Sequence, residues 1–172
     1  NHVIQDARAI TVALHDGTTY EAQLIATDSK MDIGVIKIEA SGLTPAILGD
    51  SDSLSVGEPV VAVGNPLGQL GGTVTDGIVS ALDREIILNN ERRNLLQTNA
   101  AINPGNSGGG LFNADGELVG IVVAKSSGED VEGLGFAIPI NDAKPIIEDL
   151  IAQGYVGGRV SLGVTALDLT SP

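Results

Sequence analysis

Short apolar segments separated by turn residues run through most of the chain, and this spacing is what most limits its fold. Apolar side chains alternate between Ile10 and Leu14 before an Asp16-Gly17 turn, as in a β-hairpin. Further strand-like runs occupy 32–39, 57–65, 71–85 with a bend around 76–77, and 111–126 with a turn at 114–116. About ten strands at spacings of 8 to 15 residues favour a sandwich or barrel. The predicted fold class is therefore all-β.

A single segment near the C-terminus predicts an α-helix. Asn141 is a suitable N-cap, Pro145 comes early enough to be tolerated, and Gly154 is a suitable stop. Between them one helical face is apolar, formed by Ile146, Ile147, Leu150 and Ile151. We expect this helix, over 141–153, to pack against the β-structure that precedes it.

The composition narrows the kind of core and the kind of partner. A chain of 172 residues suits one domain or two small subdomains, and with two Phe, two Tyr and no Trp its core is built from Val, Ile, Leu and Ala. Nine basic against 22 acidic residues give a net charge of −13, which disfavours nucleic acid and anionic lipid as partners. The absence of cysteine excludes disulfides, thiolate metal sites and a cysteine nucleophile. Because no apolar stretch approaches the roughly 20 residues that span a bilayer, we expect no membrane-spanning or leader segment in this chain.

The glycine-rich stretch NPGNSGGG, at 103–110, contains a candidate nucleophile. Ser107 lies among its glycines, directly before a strand-like LFN, and one interpretation is a flexible turn without chemistry. Acyl transfer offers another, because it needs a serine hydroxyl on a tight turn and backbone N–H groups that converge on the oxyanion. Gly105 and Ser107 could supply those donors. This interpretation also requires a histidine base and a carboxylate that orients it.

The chain has only two histidines, so few residues could serve as the base. His15 lies beside a hairpin turn and is interpreted as a solvated turn residue, whereas His2 is either a terminal residue of no consequence or the base. Asp32 begins an apolar run, where an unpaired carboxylate would be costly to bury; its alternative is a turn residue at a strand edge. The order His2, Asp32, Ser107, with spacings of 30 and 75 residues, is that of a chymotrypsin-type triad.

Seven ordered segments resemble successive motifs of the HtrA/DegP family of serine proteases: NHVI, SKMDIGVIKI, VAVGNPLG, TVTDGIVSALDRE, LQTNAAINPGNSGGGLFN, GELVGIV and GLGFAIPIN. The resemblance implies a trypsin-like double β-barrel over 1–154, with subdomains at roughly 1–65 and 66–140, the helix at 141–153 and the active site between the barrels. Because the family carries strands before its NHV motif, we expect the first barrel to be incomplete. Residues 155–172 are expected to be a linker toward a PDZ domain that this chain lacks.

Site residues follow from the same resemblance. His2 would be the general base, Asp32 its orienting carboxylate and Ser107 the nucleophile, with an oxyanion hole formed by backbone N–H groups of 105–107, Asn106 included. The expected walls of the specificity pocket are Ala101, Ile102, Val123, Ala124, Lys125, Leu134, Gly135 and Phe136. Since none of these is acidic, we expect a preference for small or medium aliphatic side chains. The alternative for Val123 and Phe136 is ordinary barrel core.

The sequence leaves more than one function open. The first hypothesis, implied by the resemblance, is an endopeptidase of the cell envelope that cleaves unfolded or damaged proteins and needs no metal or organic cofactor. Homotrimers and a PDZ domain of the parent polypeptide are further partners that the family implies. The second is a protease-fold fragment that binds extended peptides without turnover, because its first barrel is incomplete. A third is an acidic surface module that binds calcium through GDSDS, although that loop lacks a recognisable ligand spacing.

Overall fold

The computed structural model describes residues 1–65, 72–88, 91–123 and 134–159. A 3₁₀ turn at His2–Ile4 precedes four strands, β1 to β4, at Thr11–Ala13, Thr19–Glu21, Gln23–Asp28 and Ile33–Lys37. After a second 3₁₀ turn at Ser51–Ser53 come β5 to β10, at Pro59–Gly64, Thr73–Leu88, Glu91–Thr98, Gly110–Phe112, Leu118–Val123 and Gly135–Pro139. One α-helix, α1 at Ile140–Gln153, follows. Over these described ranges, the prediction of an all-β fold with a single helix is confirmed.

Six antiparallel strands form a closed barrel in the order β10-β7-β6-β5-β8-β9. Strand β5 pairs with both β6 and β8, so it is an integral part of this barrel. The expected subdomain boundary near residue 65 is therefore wrong, because the second barrel already begins at β5. The reason is that β5 and β6 form an antiparallel pair in which Gly64 lies opposite Thr73. This pairing cannot be predicted from the sequence of either strand alone.

The N-terminal part of the described chain is less closed than the barrel. Strands β1 and β2 form one two-stranded sheet, and β3 and β4 form another. The β1–β2 hairpin turns as predicted, since Leu14 N–H donates to Thr18 O and Gly17 has a φ of 85°. Two separate sheets in place of a barrel agree with the expected incomplete first subdomain.

Helix α1 joins the two parts of the molecule. It contacts β3 and β4 of the N-terminal part and β9 and β10 of the barrel. Its buried residues belong to a hydrophobic cluster that also contains Ile33 of β4 and Leu95 of β7. A second cluster fills the barrel, with Val60, Leu111 and Val119 among its members. Within the described residues, no helix is both long and apolar enough to cross a lipid bilayer.

Two local predictions are corrected by long-range contacts. The helix begins at Ile140 with Pro139 as N-cap, so Asn141 is not the cap; its N–H donates to Ser51 Oγ and its amide to Asp50 Oδ1. The end was predicted correctly, since Gly154 is left-handed and its N–H donates to Leu150 O. The bend or bulge predicted at 76–77 of β6 is not seen as a register shift there, since pairing with β5 is regular across these residues; the register with β7 shifts between residues 79 and 84.

Candidate active site

Asp32 is presented at the end of a tight loop between β3 and β4. Its backbone is left-handed, with a φ of 63°, and its side chain is buried. The loop is closed on itself by Asp28, whose Oδ2 accepts a hydrogen bond of 2.8 Å from Met31 N–H. Asparagine and aspartate tolerate the left-handed region better than most residues, so an aspartate at this position fits the backbone as well as the chemistry.

His2 and Asp32 are paired through two hydrogen bonds. His2 N–H donates to Asp32 Oδ1 at 2.8 Å, and His2 Nδ1 lies 2.5 Å from Asp32 Oδ2. The Asn1 nitrogen also donates to Asp32 O at 2.7 Å. Asp32 therefore holds both the main chain and one ring nitrogen of His2, although the residue itself is exposed.

The protonation state of this pair follows from its surroundings. Burial alone would raise the pKa of Asp32, but hydrogen bonds from the main chain and ring of His2 outweigh it, and the pKa lies below the ordinary 3.8. Asp32 is thus a carboxylate at neutral pH and can only accept hydrogen bonds. Nδ1 of a neutral His2 must then carry the proton, which leaves Nε2 as a lone-pair acceptor. This tautomer is the one that general-base catalysis requires.

The loop that carries Ser107 is a series of tight turns. Gly105 and Gly108 have φ values of 100° and 81°, conformations that favour glycine. Asn106 N–H donates to Asn103 O at 3.0 Å, and Gly109 N–H donates to Asn106 O at 2.9 Å. Because the N–H of Asn106 is engaged inside the loop, it is not available as the oxyanion donor that was expected of it. The N–H of Gly105 has no hydrogen-bond partner within the described part of the chain.

The Ser107 loop lies against the His2 segment. A Cβ atom built on Gly108 would be 3.8 Å from Val3 Cγ2, so the residue after Ser107 faces the residue after His2. On the other side, Gly108 N–H donates to Val122 O of β9 at 2.8 Å. The structure thus brings the three segments that carry His2, Asp32 and Ser107 to one place, between the N-terminal sheets and the closed barrel.

Asn106 and Gly64 form a contact that the sequence did not reveal. The Asn106 side chain is 2% exposed, and its Nδ2 donates to Ala101 O at 3.2 Å, which ties the two ends of the loop together. A Cβ on Gly64 would lie 2.4 Å from Asn106 Oδ1 and 2.9 Å from its Cα. Only glycine fits at position 64 while the loop keeps this shape. A Val-Gly-Asn sequence at a strand end was the available signal.

The residues expected to line a specificity pocket separate into three groups. Ala101 and Ile102 are exposed and half-buried respectively, and Ile102 packs so closely on Gly135 that a Cβ there would lie 2.4 Å from its Cγ1. Val123 and Phe136 are partners across β9 and β10 and belong to the hydrophobic core, with half-buried Leu134 packed on the same cluster. Ala124 and Lys125 lie outside the described residues. No acidic side chain is present among the six described members.

In the described ranges, no group of three or more His, Asp or Glu side chains is arranged so that it could hold a metal ion.

Comparisons with known proteins agree on one family. The model of the trypsin-like peptidase domain matches residues 1–121. Serine protease Do-like HtrA of Bacillus subtilis is 49% identical over 98% of this chain, and Serine protease Do-like HtrB of the same organism is 47% identical over 99%. A protein of Rickettsia prowazekii named probable periplasmic serine endoprotease DegP-like is 47% identical over 98%. The chain spans 34% to 39% of the length of these relatives.

Solved structures give the same result at the level of the fold. The HtrA-type protease AlgW with a decapeptide matches 90% of this chain and 48% of its own, at a TM-score of 0.84 and 44% identity. The same protease with a tripeptide matches with a TM-score of 0.82. Both structures are 44% identical in sequence to this chain.

Proposed function

The chain belongs to the trypsin-like serine peptidases of the HtrA family, and on that premise we propose that it is the proteolytic part of a serine endopeptidase. The observation that carries this proposal is the His2–Asp32 pair, held at 2.5 Å beside the segment of Ser107. A buried carboxylate that fixes a histidine tautomer next to a serine on a glycine-rich turn is the arrangement that serine acyl transfer needs.

In the proposed reaction, Ser107 Oγ attacks the scissile carbonyl while His2 Nε2 accepts the hydroxyl proton. Asp32 stays ionised and stabilises the imidazolium through Nδ1–H. The N–H groups of Gly105 and Ser107 would stabilise the oxyanion of the tetrahedral intermediate. His2 then returns the proton to the leaving amine, which gives an acyl-enzyme on Ser107. Water attacks this ester with His2 again as base, releasing the acid and restoring the hydroxyl.

The proposed substrate is an extended stretch of an unfolded or damaged protein. The similar protease AlgW was solved with peptides, which supports an elongated ligand for this fold. Ile102 and Leu134 are half-buried apolar residues near the strand that carries Gly135, and we propose that they favour a small or medium aliphatic residue before the scissile bond. Names of relatives that include the word periplasmic support a location in the cell envelope. A homotrimer and a PDZ domain in the parent polypeptide belong to the same proposal.

The alternative is a protease fold that binds peptide without turnover. Its support is that the described N-terminal part forms two-stranded sheets and no closed barrel. Against it, His2 and Asp32 are hydrogen-bonded as an acid–base pair, which a function limited to peptide binding does not require.

A fluorophosphonate probe separates the two functions. We expect covalent labelling of the wild-type chain, and loss of labelling in Ser107→Ala and His2→Ala. Ser55→Ala, an exposed serine outside the site, is the matched control and should label like wild type. Hydrolysis of casein and of peptides with Val or Arg before the scissile bond then measures turnover and preference. A folded wild-type sample that takes no label would exclude the protease and favour the binding function.

A further inference from the structure

Arg93 is a buried cation in a strand of the closed barrel. It lies on β7 opposite Ile86 of β6, and only 3% of it is exposed. The buried residue two positions on, Leu95, is part of the hydrophobic cluster shared with α1 and β4. Removing a guanidinium from water costs free energy unless it is well paired, so such a position calls for a specific role.

The guanidinium of Arg93 binds the main chain of the Asp32 loop. Its Nε donates to Lys30 O at 2.7 Å, and its Nη2 donates to Ser29 O at 3.0 Å. Two consecutive carbonyls are thus held by one rigid planar fork, a geometry that lysine cannot reproduce. These contacts join the barrel to a loop 63 and 64 residues earlier in the chain.

This loop has to hold a strained shape. Asp32 is left-handed with a φ of 63°, although aspartate in that region costs free energy that the surroundings must offset. From inside the loop only Met31 N–H is tied, to Asp28 Oδ2. From outside the loop, Arg159 binds Asp28 at its start and residues 1 and 2 bind Asp32 at its end. Arg93 binds the two carbonyls between them, which come just before Met31 and Asp32.

The third nitrogen of the guanidinium argues against a purely stabilising role. Nη1 of Arg93 is buried and has no hydrogen-bond partner within the described residues. An unsatisfied buried donor costs stability, and apolar replacements of buried ionic groups are often neutral or stabilising. The free energy of folding therefore gives little reason for an arginine here, whereas the geometry of the loop does.

We propose that Arg93 is a positioning residue of the triad, which holds the main chain of residues 29 and 30 from the barrel so that Asp32 faces His2. The proposal rests on the serine-protease function proposed above. Strand β7 of the barrel would then help to align His2 and Asp32, which both lie in the N-terminal part of the chain.

The test compares Arg93→Lys and Arg93→Gln with the same changes at Arg92. Arg92 is the neighbour on β7, its side chain is 71% exposed, and it pairs with Glu85, so it matches the charge change without touching the loop. We expect kcat of the Arg93 variants to fall by about 10-fold to 100-fold, as for small misplacements of catalytic groups, with KM changed by less than about twofold. Arg92 variants should keep the wild-type kcat.

A second measurement does not depend on activity. In a Ser107→Ala background, the low-field proton resonance of His2 Nδ1–H reports the hydrogen bond to Asp32. We expect it to broaden or move upfield in Arg93→Gln, to recover in part in Arg93→Lys, and to stay unchanged in the Arg92 variants.

Three outcomes would overturn the inference. The first is an Arg93→Gln protein with wild-type kcat and an unchanged resonance, and the second is a loss in the Arg92 variants equal to that in the Arg93 variants. The third is loss of the cooperative unfolding transition in both Arg93→Lys and Arg93→Gln, because it would assign Arg93 to folding. A wild-type chain without turnover would sink the proposed function instead, and the resonance would still test the positioning.

Discussion

At the scale of single residues, the shape of the nucleophile loop depends on a glycine outside it. Gly64 ends β5, and the space beside its Cα is filled by the buried side chain and backbone of Asn106. The main chain of residue 65 is linked to the same loop, since Asn65 N–H donates to Gly105 O at 3.3 Å. The end of β5 therefore acts as a template for the residues on either side of Asn106, one of which is Ser107.

Gly64→Ala is expected to reduce turnover far more than stability. The new Cβ would lie 2.9 Å from Asn106 Cα, a backbone contact that only a shift of the loop relieves. A displacement of about 1 Å at a catalytic group can cost about 100-fold in kcat, and we expect a loss of that order. The measurement is kcat together with the thermal midpoint.

Gly116→Ala is the control for this substitution. Gly116 has a φ of 77°, so alanine is strained there, but a Cβ would meet nothing within 4 Å. It should lower the thermal midpoint while kcat stays near wild type. Equal losses of kcat in the two variants would contradict the role assigned to Gly64.

At the scale of elements, the position of α1 depends on a narrow apolar face. Leu150 is fully buried in the cluster between the helix and the sheets, whereas Ile151 is 63% exposed. Leu150→Ala should lower the free energy of unfolding by about 2 to 5 kcal/mol, as for other buried leucines. Ile151→Ala removes a similar side chain and should change it by no more than about 0.5 kcal/mol. Urea unfolding of both variants checks the difference, and similar losses would show that the helix packs in another way.

Features that depend on residues close in the sequence were predictable from it, and features that depend on contacts between distant residues were not. The β1–β2 turn and the stop at Gly154 depend on residues within one turn of the chain, and both were placed correctly. Asn141 was expected to cap α1, but Ser51 and Asp50, about 90 residues earlier, bind it instead. The assignment of β5 to the second barrel likewise depends on its pairing with two later strands.

The same distinction applies to the site. His2, Asp32 and Ser107 were proposed from residue types, chain order and resemblance, and the pairing of the first two is present in the structure. Arg93 could not be found in this way, because nothing in ERRN distinguishes an arginine that faces solvent from one that holds a distant loop. Only the pleat of β7, which buries Arg93 and exposes Arg92, separates the two.

At the scale of the whole molecule, the N-terminal sheets contact the closed barrel through the loop between β3 and β4. Two buried carboxylates, Asp28 and Asp32, lie at the two ends of this loop. Burial would raise the pKa of Asp28, but a bidentate contact with Arg159 and the N–H of Met31 outweigh it, so the pKa lies below 3.8, as it does for Asp32. A carboxyl with a lower pKa in the folded than in the unfolded state stabilises the fold above the unfolded value. That contribution is lost as the pH falls through the lower folded-state pKa.

The contribution of these two carboxylates to stability is therefore expected to be nearly constant above about pH 5. It should decrease as the pH falls below the unfolded-state pKa of 3.8. Asp28→Asn should be less stable than wild type at pH 7, because it removes the ion pair with Arg159, and the difference should shrink as the pH falls below 3.8, where the carboxyl of the unfolded chain takes up a proton more readily than that of the folded chain. Asp115→Asn removes the same charge from an exposed turn and should show no such pH dependence. Urea unfolding at pH 7, 5 and 3 measures all three proteins. A difference between wild type and Asp28→Asn that is constant with pH would mean that the carboxylate of Asp28 does not link the loop to the residues after α1.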